Sequence, residues 1–63
     1  MPVKRRIREL RFRQGWTRSD LARRAGVSVR TVQRWEEGEY RPRVETFEAL
    51  CRALRCSPEE LLR

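Results

Sequence analysis

Histidine is absent from this sequence, and cysteine occurs only at positions 51 and 56. A tetrahedral zinc site needs four nitrogen or sulfur ligands, so two cysteines without histidine do not make one. No serine or cysteine nucleophile has a partner base, and no glycine-rich loop is arranged to cradle a phosphate. Enzymatic chemistry, a metal, a cofactor and a small-molecule substrate are therefore not expected. Apolar runs nowhere approach the roughly 18 residues of a membrane span. The opening stretch, "MPVKRRIREL", lacks the apolar core of a secretory signal. Cys51 and Cys56 lie in an apolar stretch, where free cysteine behaves as a small hydrophobe. Reduced thiols agree with a cytoplasmic setting.

Positive charge is abundant. Sixteen basic and nine acidic residues give a net charge of +7 over 63 residues. Such a balance points to nucleic acid or an anionic surface before it points to a small neutral ligand. The net charge is +5 over residues 1–17, +3 over 18–43 and −1 over 44–63. The basic field thus covers the first two-thirds, and the last third is free for another task. The few apolar residues among the first arginines make a membrane-surface helix a poor reading. One domain, 1–63, is expected. A chain this short buries only about 60% of its unfolded surface, so self-association is the expected supplement to its core.

The spacing predicts an all-α fold of five short helices. Val3, Ile7 and Leu10 recur at i, i+4 and i+7, and the pattern stops at Gln14 before Gly15. Thr17 is placed to cap a second helix with Asp20 at its third position, and Trp16 to staple onto Leu21. That helix ends at Ala25, where Gly26 can take the left-handed conformation. Ser28 caps a third helix, with Val27 and Val32 as its staple pair. A fourth carries Val44, Phe47, Leu50, Cys51 and Leu54 on one face. Ser57, Pro58 and Glu60 then open a fifth with a capping box.

Residues 18–37 hold the pattern that bears on function. Leu21, Ala22 and Ala25 share one helix face, Gly26 turns the chain, Val27 plugs inward, and Val32 and Trp35 face inward from the next helix. The small Ala22 lets two helices cross closely after a short turn. This is the arrangement of a helix-turn-helix, whose second helix enters the DNA major groove.

Residues 7–62 resemble the Cro/cI-type repressor domain family, also called xenobiotic-response-element-like regulators. The matching residues are "IRELR" at 7–11, "GWTRSDLARRAGVS" at 15–28, "TVQRWEEG" at 31–38, "RP" at 41–42, "ETFEALCRAL" at 45–54 and "SPEELL" at 57–62. The resemblance implies a five-helix domain that binds operator DNA, usually as a dimer on paired half-sites.

On a helical wheel Val32, Trp35 and Glu36 cluster on one side of the third helix. Arg30, Gln33, Arg34 and Glu37 occupy the other, with Val29 near the boundary. Arginine reads guanine bidentately, glutamine can pair with adenine, and the Val29 methyls can meet a thymine methyl. Ser28 and Val29 also match positions where the family touches bases. Expected phosphate contacts are Arg18 at the start of the second helix, Tyr40, Arg41 and Arg43 on the following loop, and Arg13. Glu36 falls on the buried side and needs a cation; the resemblance implies Arg11. Glu37 stands where the family often has asparagine, and three roles stay open: pairing with Arg34, pairing with Arg41, or lowering non-specific binding. Arg43 replaces a serine-like cap before the fourth helix. Arg55 replaces a common glycine, implying strain or a different turn.

The expected function is sequence-specific binding of double-stranded DNA by a small homodimeric regulator, a repressor, in bacterial or phage-infected cytoplasm at the nucleoid. Phe47, Leu54, Leu61 and Leu62, within residues 44–63, are the expected dimer or partner surface. The alternative is an antitoxin-like or coactivator-like module that holds another protein through the same C-terminal helices.

Overall fold

The computed structural model describes residues 3–39 and 41–62. The described residues form five helices and no strand: α1 Val3–Gln14, α2 Arg18–Ala25, α3 Val29–Glu36, α4 Val44–Leu54 and α5 Pro58–Leu62. Each boundary follows from local chemistry. Thr17 and Asp20 form a reciprocal capping box, with the Thr17 N–H donating to Asp20 Oδ2 at 2.9 Å and the Asp20 N–H donating to Thr17 Oγ1 at 3.1 Å. Ser28 Oγ accepts from the Thr31 N–H at 3.1 Å and opens α3. Ser57 and Glu60 exchange the same pair of bonds at the start of α5.

Gly26 ends α2 at φ 74°, and its N–H donates to the Ala22 carbonyl. An added Cβ there would meet nothing within 4 Å. The glycine is thus required by the left-handed backbone and not by crowding. Arg55 takes the same role after α4 without that freedom. It is the one non-glycine residue with positive φ among the described residues, at φ 54° and ψ 47°. The expected strain is therefore present. The Cys56 N–H reaches the Cys51 carbonyl at 3.0 Å and completes the turn. Arg43 heads α4 with no side-chain capping bond.

The core draws on every helix: Ile7 and Leu10 from α1, Leu21, Ala22 and Ala25 from α2, Val32 and Trp35 from α3, Leu50, Cys51 and Leu54 from α4, and Leu61 from α5. α2 packs on both α3 and α4, while α1 runs against α3, α4 and α5. Ala22 is 3% exposed. A larger side chain there would have to push α2 away from its neighbours. Arg6 ties the ends together, its Nε donating to the Glu60 carbonyl at 3.0 Å.

Two expectations about the apolar residues are corrected. Leu54 and Leu61 are 1% and 0% exposed, so they complete the core of the single chain and offer nothing to a partner. Both lie on the sides of α4 and α5 that close over α1, where burial gains more than exposure for assembly. Val44, expected on the inner face of α4, is exposed because it stands on the first turn, beyond the reach of the core. Phe47 is half-buried against the core and Leu62 is exposed, which leaves those two from the expected surface.

Candidate nucleic-acid interface

α3 divides sharply between its two sides. Val32 and Trp35 are buried, whereas Val29, Arg30, Gln33 and Arg34 are exposed together and line one shallow groove. Arg30 makes no hydrogen bond or ion pair among the described residues. Arg34 Nε stands 4.0 Å from Glu39 Oε2, a loose pair between exposed groups. Such pairs contribute little in water, so both arginines keep their donors for another acceptor. The Ser28 hydroxyl lies beside them but is engaged: it caps α3 and sits 2.9 Å from the Thr31 hydroxyl.

The two adjacent acids have separate jobs. The Glu36 side chain is 1% exposed. Arg11 Nε donates to its Oε2 at 2.7 Å, and Arg11 Nη2 donates to its Oε1 at 3.1 Å. Arg18 Nε adds a third bond to Oε1 at 3.0 Å. Burial opposes the charge of this carboxylate, but the bonds from Arg11 and then Arg18 hold its pKa below the ordinary glutamate value. The remaining Arg11 nitrogen, Nη1, donates to the Trp16 carbonyl at 2.9 Å. One arginine thereby joins α1, the entry to α2 and the end of α3. The Arg11–Glu36 pair is present as the resemblance implied. The Arg18 bond was not anticipated, although a basic residue at the exposed start of α2 was the signal available.

Glu37 pairs with neither Arg34 nor Arg41, the two expected partners. Its Oε2 accepts from Gln33 Nε2 at 3.2 Å, one helical turn away. A carboxylate has no proton to give, so the Gln33 amide must turn its NH₂ toward Glu37. Side-chain direction decides this, because Gln33 lies one turn from Glu37 at i+4 while Arg34 turns toward Glu39.

Of the expected phosphate contacts, Arg18 is drawn to Glu36, with its side chain 39% exposed. Arg41 comes beside Arg34 and Thr31 of α3. Arg13 and Arg43 are exposed, and their side chains make no hydrogen bond or ion pair among the described residues. Tyr40 lies outside the described residues. Arg23 is held by Asp20 at 3.1 Å, one helical turn away.

Residues 6–61 match the model of the helix-turn-helix family. The chain belongs to the Cro/cI-type helix-turn-helix family. Among the relatives of this helix-turn-helix domain is Repressor protein C2 of Salmonella phage P22, 36% identical over 61 residues. That match covers 97% of this chain and 26% of the phage protein, so the chain spans about a quarter of that repressor's length. An uncharacterized HTH-type transcriptional regulator of Archaeoglobus fulgidus is 34% identical over 56 residues, covering 89% of this chain and 80% of the archaeal one. The crystal structure of the P22 c2 repressor in complex with synthetic operator 9T superposes with a TM-score of 0.91 at 34% identity. It covers 97% of this chain and 92% of that one. No helix among the described residues is long and apolar enough to cross a membrane.

Proposed function

We propose that this helix-turn-helix domain binds double-stranded DNA in a sequence-specific way and acts in transcriptional regulation, as a repressor. The observation that carries the reading is the division of α3. Its inner side is locked by Val32, Trp35 and the neutralised Glu36, while Arg30, Gln33 and Arg34 are exposed together on a helix of the right size for a major groove. The similarity to a repressor solved with its operator supports the same docking.

In this reading Arg30 and Arg34 take guanine edges, Gln33 takes an adenine, and Val29, 44% exposed, meets a thymine methyl. Ser28 contributes at the N-terminus of α3. Arg13, Arg41 and Arg43 hold the phosphate backbone, and Tyr40 is assigned the same role from the sequence alone. Arg18 does so with the guanidinium nitrogens that Glu36 leaves unused. Two copies bind paired half-sites about one helical turn apart, meeting through Leu62 and Phe47. The setting is the nucleoid of bacterial or phage-infected cytoplasm.

The test is the salt dependence of binding to a duplex. With about six phosphates neutralised, log K falls against log salt with a slope of roughly −5. Arg30→Ala with Arg34→Ala should then remove sequence preference while keeping most of that slope. A slope near zero overturns the electrostatic part, and preference unchanged in the double variant overturns the assignment of α3.

A further inference from the structure

A second basic surface lies away from the exposed face of α3. Trp16 from the α1–α2 turn, Arg24 from the last turn of α2, and Ala49, Arg52, Ala53 and Arg55 from the end of α4 line an open groove to which α3 contributes nothing. Arg24 lies over the Trp16 ring, 4.5 Å from its centroid. Arg52 and Arg55 are exposed and have no carboxylate partner among the described residues. Three arginines crowd one groove, and none of them pairs with a carboxylate among the described residues.

Helix dipoles explain part of the arrangement, since cations favour helix C-termini. They do not explain Arg55. A glycine would end α4 through the same backbone turn without strain, yet an arginine is held there at φ 54°. The strain thus comes with a side chain that lines the groove, where glycine would bring none. The floor adds a second constraint. Ala49 and Ala53 are small and apolar, and the Trp16 indole forms a wall. A duplex backbone offers only the edges of its sugars to such a floor, between Gln14 and the arginines, whereas a peptide can lay a whole apolar side chain on Ala49 and Ala53 beside its acids.

We propose that this groove docks an acidic protein segment in which aspartate or glutamate alternates with an apolar residue. The acids pair with Arg52 and Arg55, the apolar side chain rests on Ala49 and Ala53, and the Arg24–Trp16 stack borders the site. The inference goes beyond DNA binding and stands whether or not α3 reads a duplex. It gives the domain a surface through which a partner protein can be held while α3 is occupied.

The experiment measures fluorescence anisotropy of a labelled ten-residue peptide of alternating glutamate and leucine, titrated with the whole chain at about 0.1 M salt. The double reversal Arg52→Glu, Arg55→Glu is compared with Arg5→Glu, Arg8→Glu, which changes net charge equally on the exposed side of α1. Circular dichroism verifies that both are folded. Arg55→Gly is a third variant that the backbone favours. We expect the groove reversal to weaken binding about tenfold or more, Arg55→Gly to weaken it about threefold, and the α1 reversal to change it less than about twofold. Equal loss in both reversals overturns the proposal, because the field of the whole molecule then suffices. So does a matching loss of duplex affinity in the groove reversal, which makes the groove a phosphate contact. Sedimentation of the chain alone gives the remaining outcome: dimerisation lost in that variant would identify the occupant as a second copy and not an acidic partner.

Discussion

The Glu36 carboxylate meets the Arg11 guanidinium edge to edge, with Nε at 2.7 Å from Oε2 and Nη2 at 3.1 Å from Oε1. Arg18 reaches the second oxygen from the start of α2. A buried acid is thus shared by three helices that the core brings together, and it fixes where α3 sits relative to α1. The exposed side of α3 inherits its position from this inward contact.

Glu36→Ala leaves the largely buried Arg11 without its anion. Removing one partner of a buried pair costs about 3–5 kcal/mol. Each kcal/mol is worth roughly 4–8 °C in the melting temperature of a domain this small. Calorimetry should show that loss, while base preference, measured on the folded fraction, stays as it was. Unchanged melting with altered base preference would contradict the structural role. Arg11→Lys keeps the charge but not the second bond, and its melting temperature should fall between the two.

The same carboxylate sets an acid limit. Its folded pKa lies below its unfolded value, so the stabilisation is complete above the ordinary glutamate value of 4.5 and is lost as pH falls through the folded value. Asp20 acts in the same direction through its bonds to Thr17, followed by Arg23. Melting temperature should be flat from neutral pH to about 5 and fall below it. Asp20→Asn, which leaves Glu36 in place, should retain most of the acid-induced fall. A fall of equal size above pH 6 would assign the effect elsewhere.

Arg55→Gly should stabilise the fold. The left-handed conformation costs a non-glycine residue about 1–2 kcal/mol. Glycine returns roughly 0.4–1 kcal/mol of that through its freer unfolded chain. A net gain of about 0.5–1 kcal/mol is expected in urea unfolding. A loss of stability would show that the Arg55 side chain makes contacts outweighing its backbone strain.

Much of this was readable in the sequence because the relevant physics is local. The Thr17–Asp20 and Ser57–Glu60 boxes, the turn at Gly26 and the inward Val32 and Trp35 follow from spacing within a few residues. What escaped depends on how helices meet. Leu54 and Leu61 look alike in sequence to Leu62, yet only Leu62 is exposed, because the angle between α4, α5 and α1 decides which leucine is enclosed. Arg18 reads equally well as a phosphate ligand or a counter-ion until α2 is placed beside Glu36. Glu37 was ambiguous for a different reason. Three basic or polar side chains lie within its reach, and only side-chain direction selects Gln33.

That selection has a consequence for recognition. Glu37 holds one Gln33 N–H and orients the amide, leaving its carbonyl and second N–H for a base. In Glu37→Ala the overall affinity for DNA should rise, since an acid near phosphate is removed, while discrimination at a single base pair falls. The fall should be a fraction of the roughly 1–3 kcal/mol that one bidentate pair supplies. Competition between single-base operator variants measures it. In a Gln33→Ala background, Glu37→Ala should cause little further relaxation at that base pair, and independent, additive effects of the two substitutions would separate Glu37 from recognition.

The central claim is that the exposed side of α3 reads base sequence, and the most direct measurement is selection of bound duplexes from a random DNA library with the purified protein. The account predicts enrichment of a two-fold symmetric motif whose half-sites contain guanine, with the enrichment abolished by Arg30→Ala together with Arg34→Ala. Absence of any enriched motif, at salt where the protein still binds DNA, would contradict it.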